Sequence, residues 1–474
     1  MSEINYKELQ EKLSHNFTNV WTKLTEEQLA EVEVVSKEYK HFLDNGKTER
    51  TSANEIIRMA VENGYQPLEA VLASGKLEVG TKVYAVNKGK SVALFYIGEK
   101  NMAEGVHIVG SHIDSPRLDI KPFPLYEDGE MAFFKTHYYG GIKKYQWTTI
   151  PLALHGVVID KDGNKIDVCI GEDDNDPIFV ITDLLPHLAK DQSTKTLADG
   201  ITGEGLNVLA GSIPYGDKDT KDKVKFNVMR LLNEKYGFGE KEFTVAELEI
   251  VPAGKARDVG LDRGMISAYG HDDRVCAYAS LRAIFDMKST PSKTAIAYFS
   301  DKEEVGSMGN TGAESAFLEN TIAELINVQM GSYNDLMLRR AFSQTEVLSA
   351  DVGAGFDPNY GDCYDKRNSA LMGYGIQLVK YTGSRGKGGC NDANSEFVAK
   401  IKNLFEANDV MWQVGELGKV DQGGGGTIAY ILANKGAEVI DCGVPVLSMH
   451  APYEVISKAD LYMTIKGYFA FMNR

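Results

Sequence analysis

The apolar positions of this chain gather into short unbroken runs that stop abruptly at charge. The run at 295–299, AIAYF, is followed by Ser300, Asp301, Lys302, Glu303 and Glu304. Apolar residues on both faces of so short a segment predict a strand buried in a parallel sheet, with the charge marking its carboxyl end. The pattern recurs at 106–109 ahead of His112, at 346–350 ahead of Asp351, and at 446–448 ahead of Met449 and His450. Further strands are predicted at 371–380 and 439–443. Helical spacing separates these runs. Residues 25–42 open on Thr25, an N-cap type followed by glutamates, and residues 51–63 stop at Gly64, a C-cap type. Residues 81–98 predict a hairpin turning near 87–89, and residues 270–285 and 313–324 predict helices. The glycine cluster in 421–433 is expected to open another helix, whose free N–H groups would suit an anion or a developing oxyanion.

Strands alternating with helices predict an α/β fold. Between 123 and 256 the pattern changes. Turn-forming clusters at 138–141, 161–164 and 173–177 separate β-rich pieces at 153–159 and 165–170, and a helix is expected near 224–236. This predicts a β-rich unit inserted into the α/β unit, dividing the chain into residues 1–122, 123–256 and 257–474. At 474 residues the chain is longer than one hydrophobic core usually serves.

Composition narrows the function classes. With 43% apolar and 25% charged residues the chain reads as a soluble globular protein. Its net charge of -16 argues against nucleic acid or an anionic membrane as principal partner. No apolar run is long enough for a membrane helix, and the start, MSEINYKELQEKLSHNF, lacks the apolar core of a signal peptide. The cysteines at 169, 276, 363, 390 and 442 are scattered and show no C-x-x-C spacing. A disulfide framework or a thiolate zinc site is not expected, and a cytoplasmic location is.

The candidate chemistry lies at the strand ends, because ligands of open α/β sheets collect at the carboxyl edge. Glu303 and Glu304 are neighbours on extended backbone and point apart, so one can bind a metal while the other reaches a bound water. His112 and Asp114 share a face at i and i+2, the pattern by which a carboxylate orients a metal-binding imidazole. His271, Asp272 and Asp273 stand just before a helix. His112, Asp272, Glu304, Asp351 and His450 at one edge of one sheet would suffice for two metals with a bridging carboxylate, supplied by Asp272 or Asp273. With no thiolate on offer, zinc, manganese and cobalt all fit. The glycine-rich stretch 381–394 lacks the spacing of a phosphate-binding loop.

Taken in order, SHIDSPRLDIKP, HDDR, DKEEVGS, LSADV followed by DPNY, KYTGSRGK, GGGGTIA and SMHAPYE resemble the aspartyl aminopeptidase family of dinuclear zinc metallopeptidases, its bacterial branch in particular. The resemblance covers nearly the whole chain. It implies a zinc-exopeptidase-like catalytic domain with a mixed central sheet flanked by helices, interrupted by a β-rich dimerisation domain. It also implies a tetrahedral dodecamer with inward-facing active sites, and two Zn2+ per subunit. Carried over by residue, His112 would bind one metal with Asp351, oriented by Asp114, and His450 and Glu304 the other, with Asp272 between. Glu303 would be the general base that deprotonates a metal-bridged water. His187 of LLPHLAK would reach a neighbouring subunit's active site, and Lys380 with the glycine-rich loop would form the substrate-side wall. The substrates would be peptides with a free N-terminus. A dimetal deacylase or carboxypeptidase acting on another amide would use the same chemistry. A metal-stabilised shell without turnover would need the ligands but not the base.

Overall fold

In the computed structural model, which describes residues 5–474, the strands form three sheets. Residues 1–4, the first of the start read above as lacking a signal peptide, lie outside the described residues. The central sheet has nine strands in the order Gln66–Pro67, Lys82–Asn87, Ser91–Tyr96, Ala295–Ser300, His107–His112, Glu346–Ser349, Glu438–Gly443, Ile376–Val379 and Trp412–Val414. The four strands in the middle, Ala295–Ser300 through Glu438–Gly443, run parallel, so their carboxyl ends share one edge. The strands next to them on either side, Ser91–Tyr96 and Ile376–Val379, run antiparallel to them, which makes the sheet mixed.

Side chains alternate across this sheet as its period of two requires. Ile108, Ile296, Val347 and Val439 enter one apolar cluster with helices Phe317–Met330 and Asp335–Ser343. Val109, Ala297, Leu348 and Ile440 enter the cluster on the other face with helices Glu26–Asn45, His271–Asp286 and Lys458–Met472. Burial on both faces explains why these strands read as unbroken apolar runs. Each large aliphatic side chain so buried stabilises the fold by about 1.5–3 kcal/mol.

A six-stranded antiparallel sheet is drawn from residues 117–252, with its own core around Leu118, Phe134, Trp147 and Ile250. Its strand Arg117–Asp128 runs through residue 122 and pairs with Ala246–Pro252. A five-stranded sheet joins Arg257–Val259, Met265–Ala268, Glu454–Ser457, Pro445–Leu447 and Gly353–Ala354. No helix among the described residues is long and apolar enough to cross a membrane.

Several local expectations hold. Thr25 and Gln28 form a reciprocal capping box, and the hairpin turns through Lys88 and Gly89, both at positive φ. Others are corrected. The helix placed at 51–63 spans Glu49–Glu62 and is capped by Thr48. The helix placed at 313–324 is Phe317–Met330, and the strand placed at 371–380 shortens to Ile376–Val379. The glycines at 423–426 do not open a helix: the helical turn starts at Ala429, and Gly424 adopts φ +126, outside helical backbone. The run ahead of His450 is not part of the central sheet. Pro445–Leu447 pairs antiparallel with Glu454–Ser457 in the small sheet, so the residues singled out do not all end strands of one sheet.

Candidate active site

Three central strands deliver side chains to the shared edge. His107–His112 ends in His112, and Glu346–Ser349 leads to Asp351 two residues on. Ala295–Ser300 leads into the short turn Glu303–Val305, bracketed by Lys302 and Gly306, both in the left-handed region. The small sheet supplies the rest. Met265–Ala268 leads through Gly270 to Asp272, whose backbone is not yet helical, and the Asp272–Asp273 peptide bond is cis. Pro445–Leu447 leads to His450.

These residues meet. The His112 Nε2 lies 3.2 Å from Asp272 Oδ1 and 3.9 Å from Asp351 Oδ1. The His450 Nε2 lies 3.2 Å from Asp272 Oδ2 and 3.4 Å from Glu304 Oε2. Each oxygen of Asp272 thus faces a different imidazole. Two groups result, His112–Asp272–Asp351 and Asp272–Glu304–His450, each with its ligating atoms within 4.8 Å of one another. Asp273 is turned away: its Oδ2 accepts from the His112 backbone N–H at 3.3 Å. The Glu304 Oε1 is buried and has no hydrogen-bond partner. Imidazole nitrogens, carboxylate oxygens and an unpaired buried oxygen are a donor set that fits two divalent ions of the zinc type.

The surroundings hold both rings. The His112 Nδ1 is 3.1 Å from the Asp114 carbonyl and 3.2 Å from its Oδ1. Asp114 also accepts from the Tyr139 hydroxyl at 2.8 Å and from the Glu303 and Glu304 backbone N–H groups at 3.1 and 3.2 Å. The His450 Nδ1 donates to the Gly141 carbonyl at 2.8 Å. With Nδ1 donating, Nε2 of each ring points into the cluster and would bind an ion on losing its proton. Glu454, fully buried, accepts from the Asp272 N–H at 3.0 Å and the His450 N–H at 2.7 Å, tying the two together.

Burial and crowding set the acidities. Burial pushes the Glu303 carboxyl up to about 7, against the pull of His112. Burial, then the neighbouring carboxylates, raises Glu304 and Asp351. Asp114 goes the other way: burial alone would raise it, but the hydrogen bonds from His112 and Tyr139 hold it low. Burial would lower His450, yet Asp272 and Glu304 hold it up at about 10.

The cleft over this cluster has a volume of 430 Å³. One of the expected residues is not brought to it: Lys380 pairs its ammonium with Asp392 at 2.6 Å and does not line the cleft. His187, expected at a neighbouring subunit's site, is exposed on the turn Pro186–Leu188. Conversely, Tyr139, Gly141 and Glu454 were not anticipated. The first two sit in a YYGG stretch read only as a turn, and Glu454 lies inside SMHAPYE without a pattern of its own.

The family profile described as Aminopeptidase I zinc metalloprotease (M18) matches residues 42–472. The chain belongs to the M18 aminopeptidase family. This M18 chain is 54% identical over 462 residues to a probable M18 family aminopeptidase 1 of Clostridium acetobutylicum, a match covering 97% of this chain and 99% of that one. A crystal structure of an M18 family aminopeptidase from Thermotoga maritima has a TM-score of 0.92 at 45% identity, covering 97% and 100% of the two chains. A structure described as an mApe1 dodecamer from S. cerevisiae shares the fold, with a TM-score of 0.75 at 20% identity over 93% and 97%. Membership makes this M18 protein a zinc metalloprotease and an aminopeptidase. The deacylase and carboxypeptidase alternatives are not favoured.

Proposed function

We propose that the enzyme removes N-terminal residues from peptides with Glu303 as general base, at two zinc ions per subunit. His112 and Asp351 would hold one ion, Glu304 and His450 the other, and Asp272 both. The observation that carries this is the placement of Asp272, one oxygen toward each histidine at 3.2 Å. Manganese or cobalt would suit the same donors.

When bound, the ions lower the pKa of water and polarise a carbonyl. Glu303 stands beside both groups without belonging to either, its Oε2 3.9 Å from the His112 Nε2. Its carboxylate is largely buried beside the ligands and is placed to take a proton from a bound water. Glu303 takes the proton of the attacking water and returns it to the leaving amine. Asp114 holds the backbone N–H groups of both glutamates, so base and ligand keep separate directions.

We extend the reading to the assembly: a catalytic domain of residues 1–122 and 257–474, a dimerisation domain of 123–256, and a tetrahedral dodecamer in the cytoplasm. The inserted sheet's unit exposes Ile178, Ile213 and Leu231, each more than half accessible, which suits an interface. His187, exposed on that unit, would reach a neighbouring subunit's active site. The five free cysteines suit a reducing compartment.

Glu303→Gln tests the base. The variant is expected to keep its zinc content and lose several orders of magnitude in kcat. Near-normal turnover would show that the base lies elsewhere.

A further inference from the structure

The cleft carries a charge pattern that bears on which N-terminal residue it accepts. Beyond the residues placed at the ions, its walls present Glu416 and Asp441, and no lysine or arginine among the described residues lines it. Asp441 is 3% exposed, and its Oδ1 accepts from the Thr427 hydroxyl at 2.7 Å while Oδ2 has no hydrogen-bond partner. Gln377, 1% exposed and also lining the cleft, has an unpartnered Nε2. Glu416 is half-buried on the wall and accepts from the Tyr381 hydroxyl at 2.8 Å.

The cations of the glycine-rich loop face elsewhere. Arg385, Lys387 and Lys419 line a separate pocket on the far side of a wall formed by Thr382, Glu416 and Leu417. Lys380 and Lys387 are both held by Asp392, at 2.6 and 2.8 Å.

We propose that the cleft takes peptides whose first residue has an uncharged or cationic side chain and rejects aspartyl and glutamyl peptides, with Glu416 as a specificity-determining residue. This rests on the aminopeptidase reading of the site. The charges of two divalent ions would be matched in number by Asp272, Glu303, Glu304 and Asp351, so Glu416 and Asp441 add negative charge to walls that carry no lysine or arginine. A substrate carboxylate entering the cleft meets both and finds no lysine or arginine among the lining residues to pair with. One like-charge contact at about 6 Å, at the effective dielectric of a partly buried site, disfavours binding on the order of 100-fold. A lysine ammonium or a neutral side chain incurs no such repulsion, and the free oxygen of Asp441 accepts a hydrogen bond from a donor.

The test is kcat/KM of the zinc-loaded, full-length enzyme on aminoacyl-anilides of Leu, Met, Lys, Asp and Glu. The Asp and Glu substrates should fall roughly 100-fold or more below the best of the others. Glu416→Lys should raise the Asp-to-Leu ratio at least about tenfold with zinc content unchanged, and Glu416→Gln by a smaller factor. Turnover led by Asp or Glu, or an Asp-to-Leu ratio that Glu416→Lys does not move, overturns this inference alone. Failure to cleave any member overturns the aminopeptidase reading and this inference together.

Discussion

Replacing Asp114 with asparagine removes one charge and one acceptor from the most connected side chain near the cluster. Its Oδ1 faces the His112 ring and the Glu303 N–H, and its Oδ2 faces the Tyr139 hydroxyl and the Glu304 N–H. The new amide must turn its NH2 toward one of these pairs. Facing His112, it would drive the imidazole proton to Nε2, the nitrogen on the cluster side. Facing Tyr139, it meets a hydroxyl that can rotate and accept, so only the Glu304 N–H is orphaned. The second orientation is favoured, and the first two contacts survive without their charge. A buried N–H left unpaired costs about 1–3 kcal/mol, which is roughly a 10–100-fold effect. Because that N–H belongs to Glu304, the loss should show at the cluster. Asp114→Asn is expected to lower zinc affinity and kcat/KM by about 10–100-fold each, and Asp114→Ala, which orphans the Glu303 N–H as well and leaves His112 only the backbone carbonyl of residue 114, by more. Competition against a chromogenic zinc chelator gives the affinity, and hydrolysis of a leucyl-anilide the rate. Wild-type values for Asp114→Asn, or equal losses for the two variants, would refute the reasoning.

Chelation should lower the melting temperature as well as abolish activity, because the bound ions relieve repulsion among buried carboxylates. Zinc held 1,000-fold above its dissociation constant contributes about 4 kcal/mol, and add-back should restore both readouts; an unchanged Tm at zero zinc would contradict this. A pH effect should come from the inserted sheet. Burial alone would lower the His155 pKa, but contacts with Cys169 and Glu172 override it and hold the imidazole up at about 8. A histidine raised above its ordinary value contributes stability that is full below pH 6.5 and lost as pH climbs through 8. Denaturation of wild type and His155→Gln at several pH values should show their difference shrinking by about 2 kcal/mol across that window. A constant difference would contradict the assignment.

Much of the site was legible because each strand buries both faces and its apolar run ends where ionisable side chains begin. The run 295–299 stops at Asp301, which is itself buried and accepts from the Thr311 hydroxyl, so the change of residue type marks the edge, and His112, Glu303, Glu304 and Asp351 follow from it. Sheet membership was not legible. Residues 446–448 have the same apolar character as a central strand, and only pairing with Glu454–Ser457 assigns them to the small sheet. The choice between Asp272 and Asp273 was equally hidden, since it depends on backbone torsions at a helix start and on two histidines remote in sequence. The glycines at 423–426 imitate a helix start in composition, yet the first two are set by close approach to neighbouring backbone: a Cβ on Gly423 would lie 1.5 Å from the Leu417 carbonyl oxygen, and one on Gly424 2.4 Å from the Ser384 Cα. Tyr139 and Glu454 hold their partners through contacts that no periodicity encodes.

The origin of the ligands has one more consequence. His112, Glu304 and Asp351 come from the nine-stranded sheet, whereas Asp272 and His450 come from the five-stranded one. The two proposed ions would therefore pin the sheets together where segments 346–354 and 438–447 pass side by side from one into the other. A tilt at that junction would change the spacing of the ligands. Catalysis would then serve as a gauge of how well the two sheets are seated, and a substitution far out on the small sheet would lower activity while leaving every ligand in the sequence.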